Sequence, residues 1–435
     1  MTIRKKRRRT NPLFTNDNKT GGCEASRFVY VFSQPGEPIE EKSSGFEVEE
    51  VKSGEYFCSM VQSREHKIPA VLILADGTRF EGKSAGAIGT TTGEIAFNTG
   101  IYGYQEIFTD PSYLRQILVM ATAHVGNYGV HDAEVESDRV QIAGLVTKNF
   151  SSIASRVGGS GTLQDYMDRD GVVGICDVDT RALVRHIRQK GAMNAIICSD
   201  GTDEAELKRQ LAQVPSMEGL ELSSGVTCSE AYVAAPDAGT EKGLKVALLD
   251  LGVKENIVRC LKERGCEVHV FPMHASVEEM LAIEPDGIML SNGPGDPGAM
   301  PETVEKVKAL VEADRSVFGI CLGHQVLALS QGLKTVKMFN GHRGVNHPIK
   351  NLITGKAEIT SQNHGFVVDR DSLDAHPDLE LTHIHLNDNT VAGIALKGRP
   401  VFSVQYHPEA SAGPHDSRYL FDQFVANMEQ AAVPA

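Results

Sequence analysis

From residue 245 onward the chain alternates short apolar runs with amphipathic stretches. Residues 245–251 form a near-continuous apolar run, and 254–264 show helical spacing that stops at Gly265. Strand-like 267–271, helical 276–283, strand-like 287–290, helical 302–313, strand-like 316–320 and helical 322–330 follow. Strands with apolar centres alternating with helices predict parallel β-α-β units covered on both faces. The region ahead of it reads differently. Strands are expected at 70–74, 78–82, 116–121, 140–146, 172–175 and 194–198, with Asp76-Gly77 as a hairpin turn. Helices are expected at 179–190 and 203–214. The second is apolar at Leu207, Leu211 and Val214 with charge between, an amphipathic surface pattern.

These patterns predict an α/β protein. Its C-terminal domain, 243–430, is an open, mostly parallel sheet flanked by helices. A smaller mixed β/α domain, 68–215, precedes it. Residues 216–242 carry turn and loop composition, including Gly219, Ser223-Ser224-Gly225 and Ala234-Ala235-Pro236, and read as a linker. Residues 1–67 are polar and poorly periodic, which predicts a largely disordered extension. It holds a basic run, Arg4-Lys5-Lys6-Arg7-Arg8-Arg9, and an acidic patch around Glu40, Glu41, Glu47, Glu49 and Glu50. No apolar signal core follows the basic run, and the acidic patch argues against a transit peptide. A solvated tail, or a start codon placed too early, is the reading kept over a nuclear or nucleic-acid role.

The chain has 435 residues, enough for two or three domains at about 100–200 residues each. The formal charge of −14 argues against general nucleic-acid binding, which needs a basic face. No run approaches the roughly 18 apolar residues of a membrane span, so no membrane role is expected. Eight cysteines with no C-x-x-C pair argue against a disulfide scaffold and against a zinc site. Reduced thiols in the cytoplasm fit better, and no metal is expected on this chain.

One cysteine stands apart. Gly319-Ile320-Cys321-Leu322-Gly323 runs from a strand directly into a helix with the G-x-C-x-G spacing of a nucleophile elbow. Glycine two before and two after relieves the crowding of a sharp turn that lifts the sulfur clear of the sheet. The helix N-terminus behind it favours a thiolate, the form that attacks an acyl carbon. The other seven cysteines lack this setting.

A cysteine nucleophile needs a base, and the base needs an orienting group. Downstream, an apolar strand ends at Gln405, and His407-Pro408-Glu409 follows. At i and i+2 of an extended stretch, His407 and Glu409 share a face, and the proline between them stiffens the pair. His407 is then the general base and acid, and Glu409 holds its ring. Two further loops are candidates. Ser291-Asn292-Gly293-Pro294-Gly295-Asp296 leaves the strand before the one bearing Cys321, and its small residues let backbone amides approach a substrate. Amides of Gly295 and Leu322 would form an oxyanion hole. Ser361-Gln362-Asn363-His364-Gly365-Phe366 offers polar groups that suit an amino-acid substrate; alone it reads equally well as a hairpin turn.

Together these four motifs resemble the class I (triad) glutamine amidotransferase domain, a flavodoxin-like fold, over the whole of 243–430. Phe97-Asn98-Thr99-Gly100-Ile101-Tyr102-Gly103-Tyr104-Gln105-Glu106 and Thr109-Asp110-Pro111-Ser112-Tyr113 are similar to the N-terminal domain of one subfamily, the carbamoyl phosphate synthase small subunit. Asp250-Leu251-Gly252-Val253-Lys254 and Gly341-His342-Arg343-Gly344-Val345-Asn346-His347-Pro348 also look like its signatures. The resemblance implies Cys321, His407 and Glu409 as catalytic residues. It implies Ser112, Gly293, Gly295, Leu322, Gln325, Gln362, Asn363, Gly365 and Phe366 as the L-glutamine site. It implies a large synthetase subunit as partner, with ammonia passing to it through a tunnel. ATP and Mg would be bound by that partner, with no cofactor on this chain, and the product would be carbamoyl phosphate for pyrimidine and arginine synthesis.

Three rival readings remain at this level. One is an amidotransferase serving another synthase, such as that for GMP or anthranilate, against which 68–215 argues. Another is a stand-alone γ-glutamyl hydrolase or peptidase. The third is a regulatory subunit with a dead site, against which the intact triad argues.

Overall fold

The structure is a computed structural model that describes residues 68–240 and 243–431. The expectations for 1–67, and for Cys23 and Cys58 within it, lie outside the described residues. In chain order the strands are β1 (Pro69–Leu74), β2 (Arg79–Gly86), β3 (Thr90–Asn98), β4 (Gln116–Met120), β5 (His124–Val125), β6 (Gly144–Val146), β7 (Asn149–Phe150), β8 (Val173–Cys176) and β9 (Asn194–Cys198). Seven of them close into a barrel in the order β1-β2-β8-β6-β4-β3-β9, while β5 and β7 pair separately. Closure leaves the barrel itself with no open sheet edge. Side chains at alternate positions of six strands meet in one core, with Leu72, Ile95, Ile117, Val146, Ile175 and Ile197 among them, and Leu183 and Ile187 of the helix Thr180–Lys190 join it. The opposite faces of β4 and β6 are buried too, through Leu118, Met120 and Leu145. Such double burial explains why these strands read as unbroken apolar runs.

The second sheet has ten strands. They are β10 (Tyr232–Ala234), β11 (Leu244–Asp250), β12 (Cys266–Pro272), β13 (Gly287–Leu290), β14 (Ser316–Ile320), β15 (Thr335–Asn351), β16 (Ala357–Val368), β17 (Leu379–His385), β18 (Val391–Leu396) and β19 (Val401–Val404). Their order is β10-β12-β11-β13-β14-β19-β18-β17-β15-β16. The five central strands, β12 to β19, run parallel. Antiparallel strands extend both edges.

Alternation along the central strands splits the core in two. Ala247, Leu249, Ile288, Leu290 and Val317 face the helices Pro301–Glu312 and Leu322–Ser330. Val246, Leu248, Met289, Phe318 and Ile320 face the helices Glu255–Lys262 and Tyr419–Ala431. Phe318 anchors the second layer. It stacks on Phe402 at 4.5 Å between ring centres and meets Phe421 edge-on at 5.6 Å. No helix among the described residues is long and apolar enough to cross a membrane.

Three features differ from the expectations. The first half is a closed barrel, a closure that strand-by-strand reading does not reveal. The 216–242 segment supplies β10 to the second sheet and packs Met217 and Leu222 against Phe366, so it is more than a connection. Residues 361–366 lie within β16 and form no hairpin turn. Phe318→Ala should cost about 3–5 kcal/mol, the range for emptying a buried aromatic site. Urea unfolding of the two proteins measures this, and a loss under about 1 kcal/mol would remove Phe318 as the anchor.

Candidate active site

Cys321 sits between β14 and the helix Leu322–Ser330 with φ 54 and ψ −102, a conformation that costs a non-glycine residue energy. The surroundings enforce it. The Cys321 amide donates to Val404 O on β19 at 2.9 Å, and the Gly323 amide donates to Ser291 O at 3.0 Å. A Cβ on Gly323 would lie 2.3 Å from Leu290 O, and one on Gly319 would lie 2.9 Å from Gly323 O. Both glycines are therefore steric requirements of the elbow. The thiol donates weakly to Asn363 O at 3.6 Å, and Gln405 Nε2 donates to the sulfur at 3.8 Å. His324, one step along the helix, is not a second base. It is fully buried, its Nδ1 meets Ser403 Oγ at 2.8 Å, and burial pushes its ring down to about 3.

His407 and Glu409 follow β19. The His407 amide donates to Ser361 O at 2.9 Å, which holds this stretch against β16. Nδ1 donates to Glu409 Oε1 at 2.7 Å. Nε2 has no protein hydrogen-bond partner of good geometry, while the ring feels Cys321 both by charge and by hydrogen bonding. Burial alone would depress the imidazole, but the Glu409 carboxylate and the Cys321 sulfur outweigh it and raise the ring to about 10. Burial likewise pushes Glu409 up, and the Lys254 and His407 cations overcome it, so the carboxyl is held low, at about 2.

Lys254 was not among the sequence-predicted site residues. Its side chain is buried, with Nζ 3.2 Å from Glu409 Oε1 and donating to Ala410 O at 2.6 Å. Asn256 Nδ2 donates to Glu409 O at 2.5 Å. Glu136, from the barrel half, accepts from the Asn256 amide at 3.0 Å and pairs with Arg259 at 3.2 Å. The Asp250-Leu251-Gly252-Val253-Lys254 stretch held this signal, but nothing in the spacing says that its lysine turns inward to a carboxylate some 150 residues away.

A narrow cleft opens beside the sulfur. Of the sequence-predicted residues, Ser112, Gly293, Gly295, Gln325, Asn363, Gly365 and Phe366 line it. Ser112 arrives from the barrel half on a short turn capped by Asp110, and its Oγ accepts from Asn292 Nδ2 at 2.9 Å. Asn363 Nδ2 donates to Asp110 Oδ2 at 3.1 Å. Gly293 must be glycine, because a Cβ there would lie 2.0 Å from Leu251 O. Gln325 Nε2 donates to Phe366 O at 2.7 Å and to Gln405 Oε1 at 3.0 Å.

Cys321 is on the lining, His407 and Glu409 lie behind it, and two of the residues expected to bind substrate, Leu322 and Gln362, are also off it. The Leu322 side chain packs into the core, while its amide heads the helix, where a first-turn N–H has no intrahelical acceptor. The Gln362 amide is bonded to Thr360 and His364, behind the cleft wall. Glu94, Gln116 and Met217 line the cleft although no motif contained them, and Arg343 and His364 line it from within quoted motifs that gave them no individual role. Arg343 is buried and its Nε lacks a partner, and Glu94 pairs with Lys337 at 2.5 Å. Charges of both signs therefore border the cavity, as a zwitterionic ligand requires.

A parallel α/β sheet carrying an elbow cysteine with a His–Glu pair beside it defines the class. Residues 247–427 match the family "Glutamine amidotransferase class-I". Residues 72–197 match "Carbamoyl-phosphate synthase small chain, CPSase domain". The chain is 47% identical over 371 residues to the carbamoyl phosphate synthase small chain of Streptomyces coelicolor, covering 84% of this chain and 97% of the relative. It is 48% identical to that of a Nostoc species, with 83% and 95% covered. It is 45% identical to that of Salmonella typhimurium, with 83% and 97% covered. The chain belongs to the carbamoyl phosphate synthase small-chain family.

The raised His407 makes stability depend on pH. An unfolded histidine loses its proton near about 6.5, whereas the folded ring keeps it to about 10. The contribution is fully present below about 6.5 and is lost as pH rises toward about 10, with a ceiling of about 1.4 kcal/mol per pH unit. His407→Gln should therefore lose less stability between about pH 6.5 and pH 9 than the parent in urea unfolding. Equal losses would show that the imidazole is not held protonated.

Proposed function

We propose that this chain is the glutaminase subunit of a glutamine-hydrolysing carbamoyl phosphate synthase, with Cys321, His407 and Glu409 as its catalytic residues. The observation that carries the reading is an elbow thiol on a cleft bordered by both halves of the chain, with a carboxylate-held imidazole interacting with that thiol from behind. In this proposal 243–430 carries the chemistry, 68–215 completes the site with Ser112, and 216–242 adds Met217 to the cleft wall.

Glutamine lies in the cleft against Ser112, Gly293, Gly295, Gln325, Asn363, Gly365 and Phe366. Cys321 sulfur attacks the side-chain amide carbon. Charge on the carbonyl oxygen is met by the amides of Gly295 and Leu322, oriented before the reaction begins. The C–N bond breaks as His407 gives its proton to the departing nitrogen, which leaves as ammonia, and a γ-glutamyl thioester remains. Water then attacks the thioester carbon, His407 takes its proton, and glutamate departs as the thiolate re-forms. Glu409 holds the ring and stabilises its charged form, and Lys254 holds Glu409. Gln362 supports the wall through His364.

Ammonia must leave uncharged, because protonation removes its nucleophilicity. A dry passage to a large synthetase subunit meets that need, and there bicarbonate, ammonia and two ATP with Mg become carbamoyl phosphate. No cofactor is assigned to this chain and no nucleic-acid role. The cytoplasm is the compartment we assign.

The test is Cys321→Ala in the complex reconstituted with a large subunit. Synthesis from glutamine should fall by at least about 10³-fold, as for removal of a catalytic nucleophile, while synthesis from added ammonia persists. Retained glutamine-driven turnover would overturn the assignment. Strong glutaminase activity with no partner, and no synthesis with one, would favour the stand-alone hydrolase.

A further inference from the structure

Behind the cleft wall lies a second cluster that the proposed chemistry does not use. His342 and His347 on β15 and His385 at the end of β17 each bring a ring nitrogen to within 4.8 Å of the others. Residues five apart on a regular strand point to opposite faces. Here the pairing of β15 with β16 shifts register between Gly344 and His347, so the two rings come together.

We propose that His342, His347 and His385 form a binding site for one divalent transition-metal ion of the zinc class. His347 Nδ1 and His385 Nε2 stand 3.0 Å apart. Nitrogens bound at about 2.0–2.1 Å to a tetrahedral ion lie about 3.3 Å from each other, so this pair already has close to the needed spacing. The contact holds one proton between two nitrogens, and so one of them presents a lone pair. A metal ion is bound there once that proton has moved to the far nitrogen of its own ring, so that both rings ligate as neutral imidazoles.

Asp388 completes the arrangement. Its Oδ2 accepts from His342 Nε2 at 2.7 Å, leaving Nδ1 of a neutral ring with a lone pair. Its Oδ1 lies 3.3 Å from His385 Nδ1, the nitrogen toward which the Asn387 amide also donates at 3.2 Å, so ligation through Nε2 moves the ring proton to Nδ1 and turns that nitrogen from the amide to the carboxylate. A carboxylate behind ligand imidazoles orients them and raises their basicity. His342 is stacked on His385 at 4.1 Å, so binding turns the His342 ring out of that stack toward the ion. Three protein nitrogens leave a fourth position to water. His342 and His347 are part-exposed, which gives the ion a path in. A zinc reading based on cysteine spacing has no means of finding an all-histidine set drawn from two strands.

The site also touches the cleft. His342 meets His364 edge-on at 5.1 Å, and His364 lines the cleft and bonds Phe366 O at 2.8 Å. An ion here would tie β15 to β17 immediately behind that wall.

The experiment uses the full chain, stripped with a chelator and carrying Cys321→Ala so that the reactive thiol does not compete. Co²⁺ is titrated in and followed by its visible bands, then displaced with Zn²⁺. One equivalent should bind with nitrogen-type bands and without the near-ultraviolet charge transfer of a thiolate ligand. Zn²⁺ should raise the melting temperature as a ligand of the folded state does. His347→Gln should abolish the one-equivalent uptake, and Asp388→Asn should weaken it by about 10–100-fold, as for loss of a partner behind a metal ligand. Asp388 lies in an exposed turn, so this variant keeps the test alive if a histidine variant misfolds. No stoichiometric uptake, a thiolate signature, or uptake unchanged in both variants would overturn the proposal. None of these outcomes bears on glutamine hydrolysis.

Discussion

A line of buried charges holds the molecule's chemistry together. Lys254, Glu409 and His407 follow one another with alternating sign toward the sulfur of Cys321, all shielded from water. Ions without solvent persist only when each has a close, well-oriented opposite. Lys254 owes its charge to Glu409, Asp110 and Glu136, whose attraction outweighs the burial that would strip its proton. Two of those three carboxylates come from the barrel half. Docking of the barrel on the sheet is therefore part of the electrostatics of the thiol's partner, and the site is a property of both halves at once.

The elbow adds a second constraint of a steric kind. The sulfur is presented by a backbone conformation that cysteine does not favour, and crowding at Gly319 and Gly323 leaves no relaxed alternative nearby. Strand β14 is central, parallel and buried on both faces, which makes it a rigid base for such strain. The apolar layers around Phe318 and Val326 serve the site indirectly, by fixing where the strand ends and the helix begins.

Much of this was legible in the residues. Unbroken apolar runs and helical spacings located the central strands β11 to β14 and the helices between them, because burial on both faces leaves a strong apolar signature. His407 and Glu409 were legible because proline enforces their local geometry. The barrel was not, since closure depends on which distant strands pair. The β15–β16 arm was missed because half-exposed, bulged strands lack clean alternation. Lys254, Met217 and Arg343 were missed for a related reason. Their role rests on contacts across the fold, and a buried lysine or arginine looks in sequence like a solvated one.

The bonds from Asn292 to Ser112 and from Asn363 to Asp110 join the two halves at the rim of the cleft. Each is a single polar contact of ordinary length, 2.9 Å and 3.1 Å. Shifting the barrel sideways by an ångström would stretch both and would also move Asp110 and Glu136, two of the carboxylates that sustain the Lys254 charge. The seating of the barrel is thus felt at the cavity rim and among the buried charges together.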